Sequence, residues 1–161
     1  MPKSKSFKMI NKYKIMQATQ QEPDFIKVAI IGSRAYENKK KIRDMIWKLK
    51  HTFGDKLIIV SGGSQNGADK YARKYAVEMG VSYREFNPAH TSKNLHSAMP
   101  ESYYGKPYHV SQLFHRNELI AKYCDKMIAF IDSTVPSKGS YHAVDMATKH
   151  KKPVVIINEK S

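Results

Sequence analysis

From Lys27 onward, five short apolar runs alternate with four amphipathic stretches, and this alternation restricts the fold more than any other feature of the chain. The runs are Lys27-Val28-Ala29-Ile30-Ile31, Leu57-Ile58-Ile59-Val60, Val81 to Phe86, Lys126 to Ile131 and Pro153 to Ile157. Short runs rich in branched apolar residues read as buried strands. The spacing between them predicts helices over 37–53, 67–79, 111–123 and 139–150. In the first helix, Ile42, Met45, Ile46, Leu49 and Phe53 fall on one face; in the second, Ala68, Tyr71, Ala72, Tyr75 and Met79 do so, with Gly80 as the stop. In the third, Leu113, Ile120 and Ala121 form the candidate buried face. Strand and helix in strict alternation imply an α/β protein, a doubly wound parallel sheet of about five strands with helices on both faces and right-handed crossovers. With the first strand central, the expected order is 3-2-1-4-5. The switch point then lies between strands 1 and 4, where ligands bind beyond the carboxyl ends of the strands.

A chain of 161 residues with an apolar fraction of 41% suffices for one domain with a real core. No apolar run approaches the roughly 20 residues needed to span a bilayer. The basic N-terminus lacks the apolar segment of a secretory signal. Cys124 is the single cysteine, which excludes an internal disulfide and makes a reducing, cytoplasmic setting the expectation. The net charge of +14 favours polyanionic partners.

Two segments fall outside the alternation. Residues 1 to about 24 read as a basic appendage: Lys3, Lys5, Lys8, Lys12 and Lys14 meet no acid before Glu22. A disordered arm, one or two amphipathic turns and a short strand all fit it. The domain proper is expected over 25–161. The polar stretch 87–110 is too long for an ordinary connection, and its Tyr103, Tyr104 and Tyr108 beside cations suit either base stacking or folding onto the domain.

Four segments carry the candidate chemistry. Gly32-Ser33-Arg34 follows the first strand: glycine for a tight exit, serine for a hydroxyl and an N–H, arginine for a planar fork. Ser61-Gly62-Gly63-Ser64-Gln65-Asn66-Gly67-Ala68-Asp69 joins the second strand to its helix and reads as a nest of backbone donors over a helix N-terminus. Asp69 there either favours the helix dipole or binds a ribose hydroxyl or base edge, or serves as an acid or base. His115-Arg116-Asn117 lies in the first half of the third helix, where one of the neighbouring Arg116 and Asn117 can face the crevice while the other braces a loop. Ser137-Lys138-Gly139-Ser140 opens the fourth helix as a second phosphate clamp, with Ser140 as a candidate cap. No GxGxxG or GxxxxGK[ST] pattern occurs, which disfavours familiar nicotinamide-dinucleotide and P-loop chemistry. Neither HxxxH nor CxxC occurs, so no metal site and no cofactor are expected.

Taken together, these segments with Asp125-Lys126-Met127-Ile128-Ala129-Phe130-Ile131-Asp132 resemble the SLOG superfamily of Rossmann-like domains, in particular its YspA-type members, over roughly Lys27 to Ile157. The pattern is also similar to the Rossmann domain of the DNA-processing protein A family and, more distantly, to the lonely-guy phosphoribohydrolases. The resemblance implies binding of nucleotide-derived ligands through Gly32, Ser33, Arg34, Ser61, Gly62, Gly63, Gly67, Asp69, Arg116, Asn117, Gly139 and Ser140; Lys138 adds positive charge beside the expected phosphate. The phosphoribohydrolases carry a Pro-Gly-Gly-x-Gly-Thr-x-x-Glu segment with a catalytic Glu. Aligning Gly139-Ser140 with its Gly-Thr leaves Pro136 one place out of step and puts Ala143 where that Glu would stand.

The expectation is therefore a domain that senses or sequesters a nucleotide-derived, phosphate-bearing ligand. Two alternatives stand beside it. One is an N-glycosidase acting on nucleoside monophosphates, with Asp69 and Arg116 as its catalytic pair and Asp69 or Asp132 replacing the Glu. The other is a binder of single-stranded DNA or RNA through the basic arm and surface. By analogy with relatives of this fold, a homo-oligomer is also expected, and no membrane partner.

Overall fold

The computed structural model describes residues 25–86 and 110–159. Over these the chain forms β1 (Ile26–Gly32), α1 (Lys39–Phe53), a 3₁₀ turn (Gly54–Lys56), β2 (Leu57–Ser61), α2 (Gly67–Glu78), β3 (Ser82–Glu85), α3 (Val110–Tyr123), β4 (Lys126–Asp132), α4 (Lys138–Lys149) and β5 (Val154–Glu159). The sheet order is β3-β2-β1-β4-β5 and every pairing is parallel. The expected α/β Rossmann-like architecture and strand order are both found. The basic arm and most of the 87–110 stretch, including the three tyrosines, lie outside the described residues.

The central strand explains why the runs are apolar on both sides. Successive side chains of a strand point to opposite faces. Val28 and Ile30 enter one core with Ile42 and Ile46 of α1 and Ala72 and Tyr75 of α2. Ala29 and Ile31 enter the other with Ile120 and Ala121 of α3 and Val144 and Ala147 of α4. Burying such a branched side chain stabilises by about 1.5–3 kcal/mol, so a polar residue at any of these β1 positions would unseat a helix.

The boundaries differ from the expected ones by a residue or two, for local reasons. Helix α2 stops at Glu78, and Gly80 at φ 68° supplies the left-handed turn that releases the chain into β3. Strand β3 is shorter than the run Val81–Phe86; these two flanking residues are buried, yet only Ser82–Glu85 pair with β2. Strand β5 begins after Pro153 and extends to Glu159. The α4 cap is Ser137, so Ser140 sits in the first turn and is not the cap.

Candidate functional site

The site is built at the switch point, where β1 and β4 part company after pairing Gly32 with Phe130. The turn after β1 is compressed against its neighbours. A Cβ on Gly32 would stand 1.9 Å from the Phe130 carbonyl oxygen and 2.8 Å from Ala68 Cβ. Ser33 N–H donates to Phe130 O at 3.0 Å, and Ser33 O accepts from Tyr36 N–H at 3.1 Å and Ala68 N–H at 3.2 Å. The α2 start is thereby pinned to the β1 turn. Gly67, at φ 70°, makes this contact feasible, since a Cβ there would lie 2.1 Å from Ser33 O.

Ser33 also holds the other side of the switch point. Its Oγ accepts from Asp132 N–H at 3.0 Å and shares a 2.6 Å hydrogen bond with Ser137 Oγ. One buried serine thus touches the end of β4 and the starts of α2 and α4. Its N–H and hydroxyl are both engaged within the protein. Asp132, also buried, closes its own turn by accepting at Oδ1 from Thr134 N–H at 2.9 Å and Thr134 Oγ1 at 2.6 Å.

Two helix starts therefore converge on Ser33, and both lack a side-chain cap: Asn66 before α2 and Ser137 before α4 make no capping hydrogen bond, whereas Asn38 caps α1 by accepting from Lys41 N–H. The leading N–H groups of a helix carry partial positive charge and need acceptors. Arg34 is exposed in the turn between these starts and makes no hydrogen bond or ion pair with any described residue. Lys138 and Gly139 are exposed at the head of α4, and a Cβ built on Gly139 would meet nothing within 4 Å.

The glycine loop after β2 is packed from two sides. Arg116 Nη1 donates to Gly62 O at 2.8 Å, and a Cβ on Gly62 would stand 2.2 Å from that nitrogen. Gly63, at φ 75°, lies against the Glu85 side chain. Ser61 is buried, its hydroxyl donating to Ile30 O at 2.7 Å. Asp69 sits beneath this loop, 6% exposed; its Oδ2 accepts from Ser64 N–H at 3.2 Å, while its buried Oδ1 has no hydrogen-bond partner. Burial pushes the Asp69 carboxyl above its usual range, and the positive charge of Arg116 pulls it only part of the way back.

Arg116 and Asn117 work as a unit. Arg116 Nε donates to Asn117 Oδ1 at 2.9 Å, which turns the Asn117 amide nitrogen toward Gly139 O at 3.1 Å and His142 Nδ1 at 3.2 Å. This pair ties the glycine loop to the first turn of α4. His142 stacks on Phe114, with ring centroids 4.0 Å apart. The sequence places Ser137 in the segment that opens α4 but gives no sign of its bond to Ser33, and His142 and Glu85 carry no signal as parts of this assembly. Ala143 is buried in the core between the sheet, α3 and α4.

Comparison with known proteins supports the fold and the family pattern. Residues 26–92 match the family model described as the YspA, cpYpsA-related SLOG family. This stretch holds the Gly32-Ser33-Arg34 turn and the glycine loop. The DNA processing protein A of Streptococcus pneumoniae superposes with a TM-score of 0.62 at 22% identity, covering 82% of this chain and 50% of that one. The chain thus spans about half the length of that protein. The molybdenum cofactor binding protein of Rippkaea orientalis gives 0.60 at 18% identity, covering 84% and 77%. The molybdenum cofactor carrier protein of Chlamydomonas reinhardtii gives 0.56 at 21%, covering 84% and 78%. No curated protein matches the chain.

Proposed function

We propose that this chain, whose residues 26–92 are a SLOG-family sequence on a Rossmann-like fold, binds a nucleotide-derived, phosphate-bearing small molecule at the β1–β4 switch point. The observation that carries the reading is the meeting of two uncapped helix starts on Ser33, with exposed Arg34 between them. Helix-start N–H groups without a side-chain cap and two helix dipoles favour an anion there, and a guanidinium adds a bidentate contact. In this reading Arg34, Gly67, Lys138, Gly139 and Ser140 flank the phosphate. Ser33, Ser61, Gly62, Gly63, Arg116 and Asn117 shape the loops around it, and Asp69 lies beneath them.

The test is calorimetry of the folded protein against nucleoside phosphates, ADP-ribose and cyclic nucleotides. The panel includes molybdenum cofactor, which the names of two fold neighbours give as their cargo. Binding that Arg34→Ala weakens at least about tenfold supports the proposal; a folded protein silent across the panel overturns it.

One observation favours N-glycosidase activity as a second reading. A buried carboxylate with a free oxygen and a raised pKa is the form a general acid takes. That reading requires release of free base from a nucleoside monophosphate, abolished in Asp69→Asn. Chromatography showing no base after prolonged incubation removes it.

A further inference from the structure

We propose that the outer face of the α1–α2 layer is a binding surface for single-stranded nucleic acid, separate from the switch-point groove. The charge of the described body is distributed unevenly. Helix α1 carries six Lys or Arg against the one acid Asp44, and α2 adds three against Glu78 and the buried Asp69; of these nine, Lys41 pairs with Glu159 at 2.8 Å and Arg73 with Glu85 at 3.6 Å. The opposite layer carries a smaller excess. There α3 and α4 bear two each, with Glu118 and Asp145 as acids; Arg116 is turned onto Gly62, and Lys122 pairs with Glu118 at 3.4 Å.

Helical geometry sorts the cations of α1 and α2 into a surface. Ile42, Ile46 and Leu49 face the core, so Lys40, Arg43, Trp47 and His51 run along the outer side of α1, all exposed. Ala72, Tyr75 and Ala76 face inward on α2, which leaves Lys70 and Lys74 outward and one turn apart. Trp47 stands 53% exposed among these cations, stacked on His51 with centroids 3.9 Å apart. Arg43 lies 3.6 Å from Asp44, but both are exposed and such a pair is readily exchanged for a phosphate.

Cations flanking an exposed aromatic plane match a partner with phosphates and accessible base faces. A duplex offers the phosphates but keeps its base faces stacked inside. A bilayer surface offers anionic headgroups, yet this face presents only Trp47 and Val77 as large exposed apolar side chains, too few for insertion. Single strands fit both halves of the surface.

Trp47 is the only tryptophan of the chain, so its emission reports on this face alone. The full chain is titrated with a short oligothymidylate, the matching duplex, and vesicles containing anionic lipid. Expected are saturable quenching by the oligothymidylate and at least about tenfold weaker response to the duplex. By anisotropy of a labelled strand, a Lys40→Glu/Lys74→Glu variant should bind at least about tenfold more weakly. Its log affinity against log salt should be shallower by about 0.7 for each phosphate that the variant no longer neutralises. Trp47→Ala should weaken binding and Trp47→Phe restore most of it. Unchanged affinity in the charge-reversed variant, equal response to duplex, or quenching by vesicles alone overturns the proposal. Calorimetry with groove ligands is run on the same variant, so the two sites fail independently.

Discussion

The hydroxyls of Ser33 and Ser137 share one 2.6 Å hydrogen bond although 104 positions separate them in the chain. The same Ser33 oxygen accepts from Asp132 N–H, so the two serines are not equivalent. Ser137→Ala removes one partly buried bond and should cost about 0.5–1.5 kcal/mol. Ser33→Ala also orphans a buried amide, and should cost about 1–3 kcal/mol. Chemical denaturation of both single variants and the double variant measures the coupling. Additive effects would show that the turn and the α4 start are not linked.

The glycines of the site divide into those the protein itself requires and one it does not. Gly67 combines a left-handed φ of 70° with backbone 2.1 Å from any added Cβ, so Gly67→Ala should lower Tm markedly or prevent folding. Gly139 meets open space, and alanine is the better helix former by about 1 kcal/mol. Gly139→Ala should leave Tm equal or higher while weakening binding of the groove ligand. A variant that binds as well as the parent would place the ligand away from the head of α4.

The contrast between these glycines shows how much of the site is legible in the sequence. Apolar alternation yields the five strands, and with the first strand taken as central it yields their order and the crevice; β1, β2 and β4 are buried along most of their length, whereas the edge strands β3 and β5 are partly exposed. Gly32 and Gly67 are recognisable as tight positions from their places at a strand end and a helix start. The reason for Gly62, a guanidinium from α3 pressed onto its carbonyl, depends on a contact 54 residues away and leaves no local trace. The same holds for Ser33 and Ser137. Ala143 is readable in the sequence only as a missing Glu; the fold shows it instead as a buried core residue of α4.

Asp69 should make the protein less stable at neutral pH than its amide analogue. Its folded pKa is raised, chiefly by burial, so the fold favours the protonated form. The favourable contribution is complete below the unfolded value of 3.8 and is lost as pH rises through the folded value. Asn resembles the protonated acid and does not titrate. Asp69→Asn should therefore raise Tm at pH 7, with the gain vanishing at about pH 3. A variant less stable than the parent at pH 7 would mean that the charge is needed to hold Arg116 and the glycine loop.

His142 should act in the opposite direction, weakening the structure as acid is added. The Asn117 carbonyl oxygen is taken by Arg116, so its amide donates to His142 Nδ1, which must present a lone pair. Burial holds the ring below its ordinary pKa of 6.5, with Asp145 and Glu118 opposing the shift. A depressed histidine pKa leaves stability intact above 6.5 and erodes it as pH falls from there through the folded value, since only the unfolded chain takes up the proton readily. His142→Gln keeps an acceptor without titrating, so its denaturation midpoint should fall less than the parent's over that window. NMR titration of the His142 ring gives the direct check. A ring that titrates at or above 6.5 would mean that Asn117 does not hold it neutral, and that the tie between α3 and the first turn of α4 rests on Gly139 alone.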